Sequence, residues 1–317
     1  MLFSKFSCGG VADEQFPGVH TVGYLLTEGA MATGPSPTVR RRQLGMELRR
    51  LREAAHKSQQ EAAEWLGVPA TAISKMETGK QRVTQAYLKL LCQLYAVGSP
   101  HPEALERLRR EADQRGWWAS YGDTVPSWFA SYVGMETAAA EVWTYESEFV
   151  PGLLQIPEYV AAVTAATNPA ATPERIQRIV EVRAARQQRL TSEDNPLTLR
   201  AVVNEAALRR EVGGPDVMRA QAHRLIEAAK LPNVTVQILP FAAGAHPAML
   251  SAFTMLRFPE EPMNTVYVEL DSAALYLEAP SEIERYAATF ERLTNLAIDT
   301  AGTVNLLNQI GLRGRPL

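Results

Sequence analysis

Apolar residues recur at helical spacing from Gln43 onward. Leu44, Leu48 and Leu51, with Arg49, Arg50 and Arg52 between them, predict an amphipathic helix. Ser58 stands where an N-cap belongs and Glu61 follows three residues later, the Ser-x-x-Glu box that starts a helix. That second helix buries Ala62, Ala63 and Leu66, and Gly67 ends it in the left-handed turn that a tight corner requires. Pro69 sits where a first helical residue can spare its N–H. Ile73 and Met76 form the inner face of a third helix, which Thr78-Gly79 closes. A fourth helix, Ala86 to Tyr95, carries Leu90, Leu91 and Leu94 on its apolar side.

Beyond Val97 the pattern changes. Gly98 to Pro102 reads as a linker, followed by an arginine-rich helix from Glu103 to Arg115 with Leu105 and Leu108 on one side. It serves either as a rigid connector or as part of a dimer interface. Trp117, Trp118, Trp128, Phe129, Tyr132 and Trp143 then form an aromatic stretch that suits a core or the wall of a ligand pocket. Helices are predicted from Pro157, over Pro173 to Leu190, Pro215 to Lys230, Ser281 to Ala297 and Val304 to Ile310. Alternating or β-branched runs predict strands at Leu197 to Val203, Val234 to Leu239, Ala252 to Phe258, Thr265 to Leu270 and Ala274 to Leu277. The expected fold is mainly α: a helical bundle, then a larger α+β domain around a small, mainly antiparallel sheet. The domains expected are a weakly ordered extension at 1–39 (with Met31 a candidate start), the bundle at 40–98, a connector at 99–126 and a regulatory domain at 127–317.

Charge divides the chain in the same place. Arg40 to Val97 holds eleven Lys/Arg against five Asp/Glu, a net +6, whereas the whole chain is −3, leaving −9 elsewhere. A basic module on an acidic body suits a DNA-binding domain attached to a regulatory one. Cys8 and Cys92 lie far apart without Cys-x-x-Cys spacing, which argues against a disulfide framework or a zinc site, and no cofactor is expected. Cys92, among leucines, reads as a buried small hydrophobe. No run approaches the roughly 18–20 apolar residues of a membrane span, and the first 30 residues lack the apolar core of a secretory signal. A cytoplasmic protein with no membrane partner is expected.

Gln59, Ala63, Gly67, Ile73, Met76, Glu77 and Gly79 fall at the spacings of the lambda-repressor/Cro-like (XRE) helix-turn-helix class, which this segment resembles. The resemblance implies double-stranded DNA as partner, with the third helix in the major groove and a homodimer on a roughly palindromic operator. It implies that Arg52 pairs with Glu77. Carried over residue by residue, it places Gln59 at a phosphate or base edge. Ala70, Thr71, Ala72 and Lys75 would project toward the groove, with Ser74 beside them. Lys80, Arg82, Arg40, Arg41 and Arg42 would hold the backbone. Ala70 and Ala72 stand where relatives often carry bidentate polar side chains, so thymine methyls, Thr71, Lys75 and DNA shape would carry the readout.

VPGLLQIPEY, VVNEAALRREVGG, VTVQILPFAAGAHP, VYVEL and SEIERYAATFERL resemble the C-terminal domain of WhiJ-like, or Scr-family antitoxin-like, actinomycete regulators. The resemblance implies a domain that senses an effector or binds a small protein encoded nearby. Two functions follow from it: a transcriptional regulator, or an antitoxin that sequesters its neighbour and autoregulates. An enzyme is the third reading. His246, Glu205 and the carboxylates Glu146, Glu148, Glu269 and Asp271 are its candidates, and Trp143, Glu205 and His246 are the residues that would line a ligand pocket. No nucleophile elbow, phosphate loop or His-x-x-x-His spacing accompanies them, so catalysis is not expected.

Overall fold

The first helix starts earlier than its leucine pattern does. In the computed structural model, which describes residues 36–98, 100–259, 261–270 and 273–312, α1 spans Pro37–Ala54. Ser36 caps it, accepting from Val39 N, and Pro37 takes the first helical position. Ser36-Pro37, within the extension expected at 1–39, is therefore a helix start. The extension before it, with Cys8 and Met31, lies outside the described residues.

Four more helices complete the bundle: α2 (Gln59–Leu66), α3 (Ala70–Glu77), α4 (Gln85–Leu94) and α5 (His101–Ala112). Leu44, Leu48, Ala63, Ile73, Met76, Leu88, Leu91 and Leu105 bury together at its centre. Leu105 comes from α5, the expected connector, which instead packs along α1 and α4 as the fifth helix of the bundle. Two of its arginines are neutralised on the helix itself. Glu106 pairs with Arg109 and Arg110, and Asp113 pairs with Arg109. Cys92 is half-buried, in a groove of about 800 Å³ between α4 and α5, not sealed in the core.

The second half is built on a six-stranded mixed sheet, in spatial order β3-β2-β1-β4-β5-β6. The strands are β1 (Glu141–Glu146), β2 (Thr198–Asn204), β3 (Val234–Leu239), β4 (Phe253–Arg257), β5 (Thr265–Glu269) and β6 (Ala274–Leu277). β1–β2 and β2–β3 are parallel, and the β1–β4, β4–β5 and β5–β6 pairings are antiparallel. The parallel half depends on β1, which lies at the centre and was not anticipated. Val142, Trp143, Thr144 and Tyr145 are all buried, so the strand shows no alternation between polar and apolar. Parallel neighbours need long crossovers. α7 (Pro157–Thr167) and α8 (Pro173–Gln187) supply the first, α9 (Glu205–Arg209) and α10 (Pro215–Ala228) the second.

α10 and α12 (Thr300–Leu312) contribute Met218, Leu225 and Leu307 to the core that α6 (Ser127–Ala138) completes on one face of the sheet. α11 (Pro280–Leu296) covers the other, setting Phe290 and Leu293 against Trp143, Tyr145 and Phe253. The two halves belong to one unit, Thr33–Leu317. α1 joins them. Its Ser36 hydroxyl donates to Gly134 O in α6, and a Cβ on Gly134 would come within 2.3 Å of Thr38 Oγ1.

Candidate nucleic-acid interface

Local chemistry sets the reading head. Both halves of the capping box form: Glu61 N donates to Ser58 Oγ at 3.1 Å and Ser58 N to Glu61 Oε2 at 2.8 Å. The Ser58 N–H, then Lys57 and the Ser58 hydroxyl, hold the Glu61 carboxyl at about 2. Gly67 ends α2 at φ 65°, which only glycine adopts without strain, and Val68-Pro69 lead into α3. α1 crosses α3 so closely at Gly45 that a Cβ there would stand 2.5 Å from Glu77 O and Met76 O.

A buried ion pair closes the corner. Arg52 donates to both Glu77 oxygens, at 2.6 and 3.2 Å, and to Lys57 O at 2.7 Å. Gln59 Nε2 also donates to Glu77, at 2.8 Å. One carboxylate at the end of α3 thus collects α1 and the start of α2, and Arg52 adds the loop between them through Lys57 O. Gln59 is half-buried in that network, which takes up its amide where a DNA contact was expected.

Successive helical residues point about 100° apart, and this sorts the remaining candidates. Thr71 and Lys75, one turn apart, are exposed together and pair with no other described residue. Ala70 and Ala72, on either side of Thr71, are half-buried and pack partly against the bundle core. Ser74 is half-buried, and its carbonyl accepts from Thr78 Oγ1. Lys80 is exposed just beyond the helix. Arg82 is 66% exposed but reaches Asp113 at 2.7 Å, so that phosphate binding there competes with a carboxylate. Asp113, the C-cap of α5, was missed because its partner lies 31 residues away.

The arginine triplet, expected at the DNA backbone, is engaged within the protein. Being consecutive on α1, its members leave in three directions. Arg40 pairs with Glu111 at 2.7 Å and Arg41 donates to Ala112 O at 3.2 Å. Arg42 is buried: it donates to Thr265 Oγ1 at 2.7 Å and to Met135 Sδ, and it pairs with Glu278 at 3.1 Å. Its stem also lies against Gly79, two residues past the end of α3. Arg42 therefore bolts the reading head to β5 and to the end of β6. Arg42→Ala is expected to lower stability in urea melts by about 1–3 kcal/mol while leaving the salt slope of DNA binding unchanged. Arg82→Ala is expected to flatten that slope by about one unit.

The body that receives Arg42 is matched in its own right. The family described as a domain of unknown function (DUF5753) matches residues 129–309, more than half of the chain. The chain belongs to the DUF5753 family. A helix-turn-helix domain matches residues 43–108, a span that includes most of α5. No curated protein and no solved structure matches the chain.

In the DUF5753 domain the expected pocket residues are held by internal contacts and do not converge on one recess. Trp143 stacks on Phe290 and lies between the Arg200 and Arg257 guanidinium groups, 4.4 and 4.3 Å from its ring. Glu205 accepts from Phe241 N at 2.8 Å and pairs with Arg209. His246 packs edge-on against Tyr145, with Nε2 at 3.4 Å from its hydroxyl; Nδ1 has no partner among the described residues. Among the candidate carboxylates, Glu148 pairs with Arg210 and Glu269 accepts from Tyr267 at 2.9 Å. Glu146 is pushed up to about 8 by burial and the nearby Glu269 charge, against the pull of Arg183. Asp271 lies outside the described residues. No group of three or more metal-binding side chains occurs among the described residues, and none of their helices is long and apolar enough to cross a membrane.

Proposed function

We propose that this protein is a sequence-specific transcriptional regulator. It reads DNA through Thr71 and Lys75 and acts as a homodimer on an approximately palindromic operator. The observation that carries this reading is the Thr71–Lys75 face: exposed, unpaired among the described residues, and mounted on a helix fixed by the Arg52–Glu77–Gln59 network. Lys80, with Arg82 once released from Asp113, supplies the phosphate contacts. The similarity to XRE and WhiJ-like regulators supports the same assignment and points to an effector or small partner protein for the DUF5753 domain. In this reading that domain acts by binding, not by catalysis. Its signal reaches DNA through α1, because Arg42 joins β5 and the end of β6 directly to the loop behind the recognition helix.

The test is fluorescence anisotropy of the full chain against DNA from upstream of its own gene, beside shuffled DNA, over a salt series. Tight, sequence-dependent binding with a steep salt slope is expected. Thr71→Ala and Lys75→Ala are each expected to cost about 1–3 kcal/mol on the specific site and to relax preference at the bases they touch. Unchanged preference in Lys75→Ala would mean that another face of α3 enters the groove.

A further inference from the structure

The two edges of the sheet are treated differently. At the β3 edge, Ile238 N donates to Thr303 Oγ1 at 3.2 Å and Ile238 O accepts from Ile298 N at 2.9 Å, so α12 and the chain before it seal the strand. Gln237 reinforces the closure by donating to Thr294 O and Ile298 O. β6, at the other edge, has no such cover. Leu270 N donates to Ala273 O across the β5–β6 turn, and the register runs Glu269↔Ala274 to Val266↔Leu277. Hydrogen-bonded and non-hydrogen-bonded pairs alternate along an antiparallel ladder. Counting from Leu270–Ala273, Leu275 and Leu277 face β5, and the backbone N–H and C=O groups of Ala274 and Tyr276 point outward. None of these four groups has a partner among the described residues. An unpaired edge is a template for another strand, which proteins usually blunt with lysine, proline or a bulge. The Ala-Leu-Tyr-Leu strand has none of these.

We infer that β6 is the homodimer interface, pairing antiparallel with β6 of a second copy about a two-fold axis at Leu275. The inference rests on the dimeric reading above and names its surface. Self-complementarity selects the occupant. Pairing Ala274 with Tyr276 of the second copy, and Tyr276 with its Ala274, satisfies every outward donor and acceptor of the strand. The same register sets Leu275 against its own counterpart in a non-hydrogen-bonded pair, where side chains approach most closely. Leu275 is 50% exposed on the α11 face of the hairpin, and the pairing covers it. No charge lies within the strand to oppose itself across the axis. Position also favours a second copy. Glu278, directly after β6, holds Arg42, so a two-fold axis at this strand fixes the spacing between two reading heads, as paired half-sites require.

Light scattering and sedimentation of the full chain over a concentration series test this. The wild type is expected to be a dimer. Leu275→Glu and Leu275→Lys are each expected to raise the dimer dissociation constant at least 100-fold, with helix content unchanged. Mixing the two variants is expected to restore the dimer, because only a two-fold axis at this residue sets Glu against Lys. A monomeric wild type, a dimer indifferent to both substitutions, or a mixture that stays monomeric overturns the inference. So does a chain that dimerises only when residues 1–35 are deleted, which would make that segment the occupant of the edge. Anisotropy on the same samples separates this from the functional reading. Specific DNA binding by a dimer indifferent to residue 275 removes the interface alone, and a Leu275-dependent dimer without specific DNA binding removes the regulator alone.

Discussion

Glu77→Ala is expected to abolish operator binding without removing a single DNA contact. The Glu77 side chain is 3% exposed and accepts from Arg52 twice and from Gln59 once. Deleting it leaves the Arg52 guanidinium, 10% exposed, with Lys57 O at 2.7 Å and the exposed Glu53 carboxylate at 3.5 Å as its remaining partners. Breaking a buried ion pair from one side costs about 3–5 kcal/mol, because the surviving charge stays desolvated, and Glu53, half in water, offsets only part of that. Domains of this kind hold only about 5–15 kcal/mol in all, so the substitution removes a large share of that stability and loosens the seat of α3. Trp65 on α2, whose indole donates to Leu90 O at 3.0 Å, lies within the module and reports on it. The decisive control removes both charges. Arg52→Met with Glu77→Leu keeps the volume and leaves no orphan, so urea melts should return most of the lost stability. If Glu77→Ala melts like the wild type yet fails to bind, Glu77 acts on DNA and the network is not what holds α3.

The reading head was legible in sequence because its signals are local. Ser58 and Glu61 stand three residues apart, Gly67 marks one turn, and the core leucines keep helical spacing. The pairing of Arg52 with Glu77, 25 residues apart, became legible only through the family resemblance. What misled the reading was charge. Arg40, Arg41 and Arg42 look like one patch as text, but a helix spreads consecutive residues around its axis. No local pattern says that Arg42 ends beside Thr265, 223 positions away. The same limit applies to β1. Glu-Val-Trp-Thr-Tyr-Glu is buried toward both faces, so it lacks the alternation that identified β2. Missing that central strand hid the parallel half of the sheet. Trp143, Glu205 and His246 were grouped for their chemistry, but each is held by its own partners: Trp143 by Phe290, Glu205 by Phe241 N and Arg209, His246 by Tyr145.

The second large effect is expected at Glu136→Ala, far from the reading head. Glu136 on α6 is 2% exposed and Arg186 on α8 is 5% exposed. Two hydrogen bonds of 2.7 Å join them fork to fork, and Tyr132 donates to the same carboxylate at 2.7 Å. The guanidinium also stands over the Phe129 and Tyr132 rings, at 5.2 and 5.3 Å. Removing the carboxylate strands a charge and a phenol inside the DUF5753 core, and a loss of about 3–5 kcal/mol is expected in denaturant melts. Arg186→Lys should be damaging as well, since an ammonium offers neither the planar fork nor the stacking surface. Glu136→Gln keeps the shape and one acceptor, so its loss should be smaller. The consequence for function follows from α6. It is the helix that α1 crosses at Gly134, and its Met135 lies against Arg42. Loosening α6 therefore removes the seat of the helix that carries the reading head. Glu136→Ala should weaken operator binding even at temperatures where the domain remains mostly folded. If operator affinity is untouched while stability drops, α1 is held by the reading head alone, and the DUF5753 domain has no route to DNA through α6.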